Sequence, residues 1–335
     1  MQEVLVNKPS MMSYIEEEKE VLTRILTSFR RSKKPVKTKE LLILATGSSL
    51  NAALAAQYFL QDNLRALVRV CEPYSFLKYD KLGRADLVLA ISQSGKSAST
   101  LKAFTSIKSS KKVKKIALTE DEGLELAKSA DLFLPLKAGE EKVGFVTKGF
   151  SATLLNLMLF ALGNNKNLPR AKLEKHLYGL QAAIDNIPKV IDEALAFVRC
   201  HENELKNAQS FSFIGSGALF GIAKEAETKF RETVRRPSTG YELEAYMHGP
   251  YLEANKDHVL IFLDQSPRAE DLYKYMSRYA RCLKLNMLPE ARGLAKPLLA
   301  AAFIQVLSAK TARLCGVDLT MKIMSDFDQV VKSKV

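Results

Sequence analysis

The run Leu87-Val88-Leu89-Ala90-Ile91 leads directly into Ser92-Gln93-Ser94-Gly95-Lys96-Ser97. A short run of Leu, Val and Ile predicts a buried parallel strand, and the serines and glycine after it predict the start of a helix. The first N–H groups of a helix have no partner within it and carry partial positive charge, so such a turn favours an anion, phosphate above all. Serine is also a common helix cap, and the stretch alone fits a capped loop that binds nothing equally well.

The first half of the chain surrounds this turn with alternating strands and helices. Apolar runs at residues 41–45, 66–72, 115–119 and 131–135 predict four more strands, and segments 12–29 and 149–162 have helical patterns. This alternation predicts an α/β fold with a doubly wound parallel sheet flanked by helices. Ligands of such sheets bind at the carboxyl ends of the strands, where a second hydroxyl turn, Gly47-Ser48-Ser49, also lies.

The second half repeats the first. Residues 211–217 lead into a predicted helix in the same way as residues 44–49 lead into the helix that follows them. Residues 257–263 match the strand predicted at 86–91. In the second copy Asp264 follows the strand, and its carboxylate would repel a phosphate, so only the first copy keeps a plausible phosphate site. A polar break at 164–169 predicts an N-terminal domain with a leading helix at 1–167, and linker helices with a C-terminal domain at 168–335. Within the second unit, residues 172–208 have a helical pattern.

Charged residues in the second copy form a further candidate group. The helix predicted at 222–235 places Glu225, Lys229 and Glu232 at i, i+4 and i+7, which puts two carboxylates and a cation on one face. His248 stands before Gly249-Pro250, in a predicted turn. Periodicity alone favours an exposed stripe of ion pairs and a loop histidine, because such pairs are common and without function.

Composition describes a folded protein. The 335 residues suffice for two domains, and 47% hydrophobic with 26% charged residues excludes a disordered chain. No run approaches the length of a membrane span and residues 1–4 have no signal pattern, so we expect a cytoplasmic protein without a membrane partner. The four cysteines are isolated from one another, which is typical of reduced, buried thiols and predicts no metal site.

The net charge of +13 raises the question of nucleic acid. The basic clusters at 30–34 and 111–115 are short and lack interleaved aromatic residues, and we find no recognition helix or RNA-binding module. The excess charge therefore predicts a solvated surface that favours small anionic substrates, and no nucleic-acid partner. Nothing in the sequence implies a metal or an organic cofactor.

Five motifs occur together in one order: Gly47-Ser48-Ser49, Ser92-Gln93-Ser94-Gly95, Thr147-Lys148-Gly149-Phe150, the helix with Glu225 and Glu232, and His248-Gly249-Pro250. With them the chain, from about residue 25 to its end, resembles the double SIS (sugar isomerase) phosphosugar proteins. It is similar to the isomerase half of glutamine-fructose-6-phosphate aminotransferase, to stand-alone amino-sugar-phosphate deaminases and to fructosamine-6-phosphate deglycases. The resemblance implies two doubly wound, flavodoxin-like SIS domains.

The resemblance also implies roles for particular residues. The sugar phosphate would be held by Ser49, Ser92, Gln93, Ser94 and Ser97. Glu232 would move a proton between C1 and C2, His248 would help to open the sugar ring, and Lys332, in Val331-Lys332-Ser333, would contact the carbonyl carbon; Lys334 is the alternative lysine. The same motifs make Gly47, Ser48, Thr147 and Lys229 candidate substrate-binding residues. In the family the histidine comes from a neighbouring subunit, which implies a homodimer with shared sites.

Departures from the aminotransferase pattern narrow the expected activity. Gln2 follows Met1 where the aminotransferase has a cysteine, and no glutaminase domain fits before Leu41, so we do not expect glutamine-dependent synthesis. Lys96 replaces a glutamate, Val146 replaces a hydroxyl residue, and Ala245-Tyr246-Met247 replaces Glu-Leu-Lys. We expect an isomerase that releases ammonia from an aminohexose phosphate. Release of an amino acid from a fructosamine phosphate, plain aldose–ketose isomerisation and non-catalytic phosphosugar sensing remain the alternatives.

Overall fold

A computed structural model describes residues 10–108, 110, 112–285, 295–321 and 323–334. Residues 1–4, which have no signal pattern in the sequence, and Lys111 of the second basic cluster lie outside the described residues. Within the described residues the strands are β1 Glu40–Leu44, β2 Leu67–Cys71, β3 Leu87–Ile91, β4 Lys114–Thr119, β5 Leu132–Pro135, β6 Ser210–Gly215, β7 Ser238–Glu242, β8 His258–Phe262 and β9 Arg281–Lys284.

The helices in these same stretches alternate with the strands. They are α1 Met11–Glu16, α2 Glu18–Thr27, α3 Ser48–Leu64, α4 Pro73–Tyr79, α5 Ala98–Ser106, α6 Glu125–Lys128, α7 Lys148–Asn164, α8 Arg170–Cys200, α9 Glu202–Asn207, α10 Ala218–Thr233, α11 Leu243–Tyr246, α12 Pro267–Met276, α13 Ala295–Leu314 and α14 Phe327–Val330. A single 3-10 turn, Pro250–Glu253, follows α11 in this part of the chain.

Two parallel sheets form the framework. The first has the strand order β2-β1-β3-β4-β5 and the second β7-β6-β8-β9, and every pairing in both is parallel. This is the flavodoxin-like order, in which the chain reverses direction between the first and third strands. The predicted α/β class with two doubly wound sheets is confirmed. The central strands β3 and β8 are buried along their whole length, as expected for strands covered by helices on both faces.

Two helices of the core are apolar on all sides. In α7 and α13 nearly every side chain is buried, because each is surrounded by other helices and has no face toward water. α13 packs against α8, α10 and α7, and thereby joins the two halves of the molecule into one core. The carboxyl edges of both sheets are thus held in a fixed relation.

Equivalent glycine turns show the duplication directly. Gly47 before α3 has φ +57° and ψ −137°, and Gly217 before α10 has φ +55° and ψ −126°. An L-residue rarely adopts this conformation, so both copies need glycine where the strand turns into its helix. The two helices that follow, α3 and α10, pack directly against each other.

Gly221 sets the distance between these two helices. A Cβ atom added to Gly221 would lie 2.2 Å from the Ala55 backbone nitrogen and 2.7 Å from the Ala55 Cβ. We expect Gly221→Ala to lower the free energy of unfolding by about 1–3 kcal/mol, despite a gain of about 1 kcal/mol in helix propensity. Urea unfolding would measure it, with Gly179→Ala in α8 as the control.

The control position, Gly179, also lies within a helix but has no close neighbour. No atom lies within 4 Å of a Cβ added to Gly179, so there the propensity gain should appear alone and stabilise the protein. Equal effects of the two substitutions would show that α3 and α10 are not in close contact.

Three predicted helices differ in their bounds. The helix predicted at 12–29 is α1 and α2, interrupted at Glu17, whose backbone stays helical while its side chain pairs with Lys148. The segment 172–208 is α8 and α9, divided at His201, where φ is −116° and the ring packs on Phe197. The helix predicted at 222–235 starts at Ala218 and ends at Thr233, before Arg235 adopts a φ of +58°.

The expectation for the cysteines is partly wrong. Cys71, Cys200, Cys282 and Cys315 are all free thiols, as predicted. None of the four is fully buried, however, and Cys200 is exposed because it ends α8 on its solvent side. Across the residues described, no helix is both long and apolar enough to cross a membrane.

Candidate active site

The turn after β3 is closed by a main-chain hydrogen bond. The Gly95 N–H donates to the Ser92 carbonyl at 3.1 Å, which closes residues 92–95 into a tight turn before α5. Ser92 is buried and Ser94 exposed, and the Ser97 hydroxyl pairs with that of Thr100 at 2.9 Å instead of capping the helix. Ser49, half-buried in the first turn of α3, lies at the neighbouring strand end. The predicted hydroxyls therefore stand at adjacent carboxyl ends of one sheet.

Glu141 holds the side chain of Gln93. The Gln93 amide donates to one carboxylate oxygen of Glu141 at 2.9 Å, and the Gly149 N–H donates to the same oxygen at 3.1 Å. The other oxygen accepts from the Thr147 N–H at 2.8 Å and from its hydroxyl at 2.5 Å. Thr147, predicted to contact substrate, thus begins α7 and orients Glu141, a residue that the sequence analysis missed.

Gly149 leaves the space that the Gln93 amide occupies. A Cβ at Gly149 would lie 2.1 Å from Gln93 Oε1 and 2.4 Å from its Cδ. If the turn holds the sugar phosphate that the resemblance implies, we expect Gly149→Ala to displace this flexible side chain and weaken phosphosugar binding about tenfold. That is the loss of one hydrogen bond to a charged group, about 1.5 kcal/mol. The unfolding free energy should change little. Isothermal titration with fructose-6-phosphate is the measurement, and unchanged affinity would show that Gln93 does not contact the ligand.

A buried carboxylate links the two domains next to the first turn. Glu225 on α10 is fully buried and accepts from the Ser48 hydroxyl at 2.9 Å and from Asn51 Nδ2 at 2.8 Å. Ser48, predicted to bind substrate, therefore has its hydroxyl engaged by Glu225. Asn51 lies in the quoted motif region but was not singled out, since an asparagine one turn into a helix gives no signal of its own.

Lys229 lies between two carboxylates. It is fully buried, with its Nζ 2.5 Å from Glu232 Oε2 and 3.7 Å from Glu225 Oε1, while the Glu232 side chain stays 37% exposed. The interpretation of this face as an exposed ion-pair stripe is wrong, because α10 turns it toward α3 and not toward water. The helix presents one accessible carboxylate, Glu232, held by a buried cation.

Burial and charge shift two of these groups. Burial raises the pKa of Glu225 to about 7, although the Lys229 charge and the Asn51 hydrogen bond oppose the rise. Burial also acts to lower the pKa of Lys229, but the Glu232 and Glu225 carboxylates outweigh it and raise that pKa above its usual value. Lys229 is therefore charged at neutral pH, and its charge offsets that of Glu232.

His248 lies away from these residues. It is exposed, follows α11 in a turn, and its charge acts on Glu244, itself paired with Arg268 at 2.9 Å. Among the described residues no hydrogen bond joins His248 to Glu232 or to the turn at 92–97. The structure thus does not bring this predicted residue into the site of its own chain.

The C-terminal segment lies on the phosphate turn. The Ala98 N–H donates to the Ser333 carbonyl at 3.1 Å, and Ser97 and Lys334 form an antiparallel bridge. Lys334 Nζ pairs with Asp328 at 2.5 Å, whereas Lys332 is exposed, has φ +52°, and has no ion pair with any described residue. Of the two alternative lysines, Lys332 is therefore the one whose amine has no ion pair among the described residues.

The second copy of the anion turn contains an internal carboxylate. Asp264 follows β8 and accepts from the Ser216 hydroxyl and from the Ser266 N–H, the latter at 2.8 Å. The Ser216 hydroxyl and the Ser266 N–H are thus both engaged by Asp264 within the turn. Within the described ranges no three His, Cys, Asp or Glu side chains are grouped to hold a metal ion.

These features define a duplicated α/β protein in which hydroxyl-rich turns follow two adjacent strands of the first copy and a carboxylate–lysine helix of the second copy packs against the first. The SIS domain model matches residues 36–163 and 204–288, well over half of the chain. The chain therefore belongs to the SIS domain family and contains two copies of the domain, as predicted.

Curated relatives are similar over most of this chain. Glutamine–fructose-6-phosphate aminotransferase (isomerizing) of Cyanidium caldarium is 27% identical over 301 residues, 81% of this chain and 48% of that protein. The Haemophilus influenzae enzyme of the same name is 24% identical over 84% of this chain and 50% of its own length. The chain thus spans about half the length of these relatives.

Solved structures share the fold. The C-terminal domain of glucosamine-fructose-6-phosphate aminotransferase from Francisella tularensis superposes with a TM-score of 0.81 at 20% identity, covering 92% of this chain and 96% of that one. Glucosamine-6-phosphate deaminase from Thermotoga maritima does so with a TM-score of 0.75 at 24% identity, with the same coverage. At these identities the likeness concerns the fold alone.

Proposed function

We propose that this protein is a phosphosugar isomerase that releases ammonia from an amino-sugar phosphate such as glucosamine-6-phosphate. The observation that carries the proposal is a series of two contacts and one charge interaction that relates the turn at residues 92–97 to the accessible carboxylate. Gln93 in the turn bonds Glu141, the charge of Glu141 acts on Lys229, and Lys229 pairs with Glu232. The names of the relatives above, which refer to fructose-6-phosphate and glucosamine-6-phosphate, support the substrate class.

The phosphate would occupy the turn, held by the hydroxyls of Ser49, Ser92, Ser94 and Ser97, the Gln93 amide and main-chain N–H groups. Neutral donors suit a group that must be released after each turnover. Gly47, Ser48 and Thr147 shape this end of the site, since Ser48 fixes Glu225 and Thr147 fixes Glu141. With the phosphate anchored there, the sugar carbons extend toward Glu232.

Glu232 would take the proton from C2 of the open-chain amino sugar and return it at C1, leaving an imine at C2. Lys229, whose Nζ lies 2.5 Å from Glu232 Oε2, orients Glu232 for this transfer. The Lys332 amine would then attack C2, release ammonia and form its own imine, which water hydrolyses to the ketose phosphate and free Lys332. One water is consumed and one ammonia released.

His248 would assist ring opening by proton transfer to the ring oxygen. Because it is exposed and apart from Glu232 in its own chain, we propose that it acts in the site of a second subunit of a homodimer. Exposed apolar side chains near it and on the C-terminal segment, among them Leu252 at 74% and Met324 at 76% exposure, support such a contact.

The test is incubation of the purified protein with glucosamine-6-phosphate while both ammonia and fructose-6-phosphate are followed. Equal amounts of the two products would support the proposal. Turnover of a fructosamine-6-phosphate instead, with release of an amino acid, would favour the deglycase alternative. A phosphosugar-induced rise in melting temperature with neither turnover would favour a sensor.

A further inference from the structure

Behind the site, three polar side chains lie in a fully apolar setting. Glu18 on α2, Ser151 on α7 and Gln305 on α13 are each completely buried. The Ser151 hydroxyl donates to Glu18 Oε1 at 2.7 Å. Gln305 Nε2 donates to the Thr147 carbonyl at 3.2 Å and to Ser151 Oγ at 3.3 Å. Glu18 Oε2 and Gln305 Oε1 have no hydrogen-bond partner among the described residues.

The charges around Glu18 do not neutralise it. Lys148, the cation on the neighbouring turn of α7, pairs with Glu17 at 2.5 Å and lies over the Tyr14 ring. Lys19 points to Asp185 on α8 at 3.9 Å. Another carboxylate, Glu141, acts on Glu18 in the opposite sense and disfavours its ionisation. An ionised Glu18 would therefore be a buried charge without a counter-ion, a costly state.

A single proton shared between Glu18 Oε2 and Gln305 Oε1 would give both of these oxygens a hydrogen-bond partner. The Glu18 carboxyl and the Gln305 amide both contact the Ser151 hydroxyl, at 2.7 Å and 3.3 Å, which places the two side chains next to each other. Rotating the Gln305 amide would set its oxygen against the Thr147 carbonyl, so the amide orientation is fixed and its oxygen remains an acceptor. We propose that Glu18 is a neutral carboxylic acid that donates its proton to Gln305 Oε1 and so acts as a positioning residue for Thr147.

Burial, the largest influence, raises the pKa of Glu18 to about 8, and the hydrogen bond from Ser151 opposes the rise. The acid is therefore predominantly neutral at pH 7.

The positioning acts through four hydrogen bonds. Glu18 holds Gln305, Gln305 holds the Thr147 carbonyl, Thr147 holds Glu141, and Glu141 holds the Gln93 amide. The last link rests on the proposed function, because it matters only if Gln93 contacts the phosphate. The first links concern the fold and are testable without any ligand.

Glu18→Gln provides the matched variant, because its amide donates to Gln305 and accepts from Ser151 as the neutral acid does. Urea unfolding of wild type and variant would be compared from pH 5.5 to pH 8.5. A carboxyl whose pKa is higher in the folded state binds more protons there, so its stabilising effect is lost as pH rises from 4.5 toward 8. The titration of other groups, including Glu225, changes the stability of both proteins equally and therefore cancels in the comparison.

We expect the wild-type unfolding constant to rise relative to Glu18→Gln by about tenfold per pH unit below pH 8 and to level off above it. Glu16→Gln, an exposed carboxylate on α1, is the control and should show no such trend. A ratio that does not vary with pH would overturn the neutral-acid assignment.

Isothermal titration with fructose-6-phosphate tests the positioning role. Titration of the phosphate and of Glu225 affects both proteins equally, so the ratio of wild-type to Glu18→Gln affinity should fall severalfold between pH 6 and pH 8.5. An affinity ratio that is equal at both pH values would overturn the positioning role. Absence of binding by every protein would overturn the proposed function and this role together, while the unfolding data would still decide the protonation of Glu18.

Discussion

We expect Glu232→Gln to lower kcat on the phosphosugar by about 10²- to 10⁴-fold, the usual contribution of a general base. The glutamine has the same shape and its oxygen can still accept from Lys229, whose Nζ lies 2.5 Å from Glu232 in the wild type. It cannot take up a proton from carbon. Substrate affinity should stay within a few-fold of wild type, because the phosphate is bound at the turn of residues 92–97.

Turnover is best measured as ketose phosphate formed, with binding measured separately by titration calorimetry. The control is Glu174→Gln, which removes an exposed carboxylate of α8 paired only with Arg170 on the same helix. That variant should keep wild-type kcat and affinity. Retained turnover in Glu232→Gln would contradict the assignment of the base.

Lys229→Met should have the largest effect on stability. The change removes a buried cation and leaves the fully buried Glu225 facing Glu232 without compensation. Loss of one partner from a buried ion pair costs about 3–5 kcal/mol. Because the lost attraction had held down the pKa of Glu225, that carboxyl will stay protonated to higher pH in the variant.

The sign of the pH dependence follows from this shift. The Glu225 pKa of about 7 in the folded state already exceeds its ordinary value of 4.5, so wild type loses this stabilising effect as pH rises to 7. In Lys229→Met the loss continues to higher pH, and its deficit should therefore be larger at pH 8 than at pH 6. Urea unfolding at both pH values measures it.

The double variant Glu225→Gln with Lys229→Met is the control for mechanism. If an uncompensated buried carboxylate causes the instability, neutralising Glu225 should recover part of the loss and remove its pH dependence. A double variant that is less stable than Lys229→Met at pH 8 would show that packing, and not charge, explains the effect.

The sequence predicted elements whose cause is local. Strands β1, β3 and β8 are short apolar runs. The turns before α3 and α10 need glycine because their backbone has a positive φ. Strand β7, Ser238–Glu242, was not predicted, since its residues are polar or small. It forms because Gly240 allows close approach to α10, where a Cβ would lie 2.3 Å from the Ala223 carbonyl oxygen.

Residues of the candidate site could be predicted only where they belong to a sequence motif. Helical spacing placed Glu225, Lys229 and Glu232 on one face, but periodicity cannot tell whether a charged face is covered, and here α3 covers it. Glu141 lies in a loop whose composition is typical of a solvated segment; Thr147 and Gly149 nearby in the chain donate to it, and folding adds the Gln93 amide. The covered face of α10 and the contact between Glu141 and Gln93 both depend on tertiary packing, which the local sequence does not reveal.

The central claim is that the turn at residues 92–97, the α10 carboxylate and the C-terminal segment form one phosphosugar site. The most direct measurement is a crystal structure of Glu232→Gln with glucosamine-6-phosphate. We expect the phosphate within hydrogen-bond distance of the Ser92, Ser94 and Ser97 hydroxyls, with C1 and C2 facing residue 232. A phosphate bound elsewhere, or sugar carbons directed away from α10, would contradict the account.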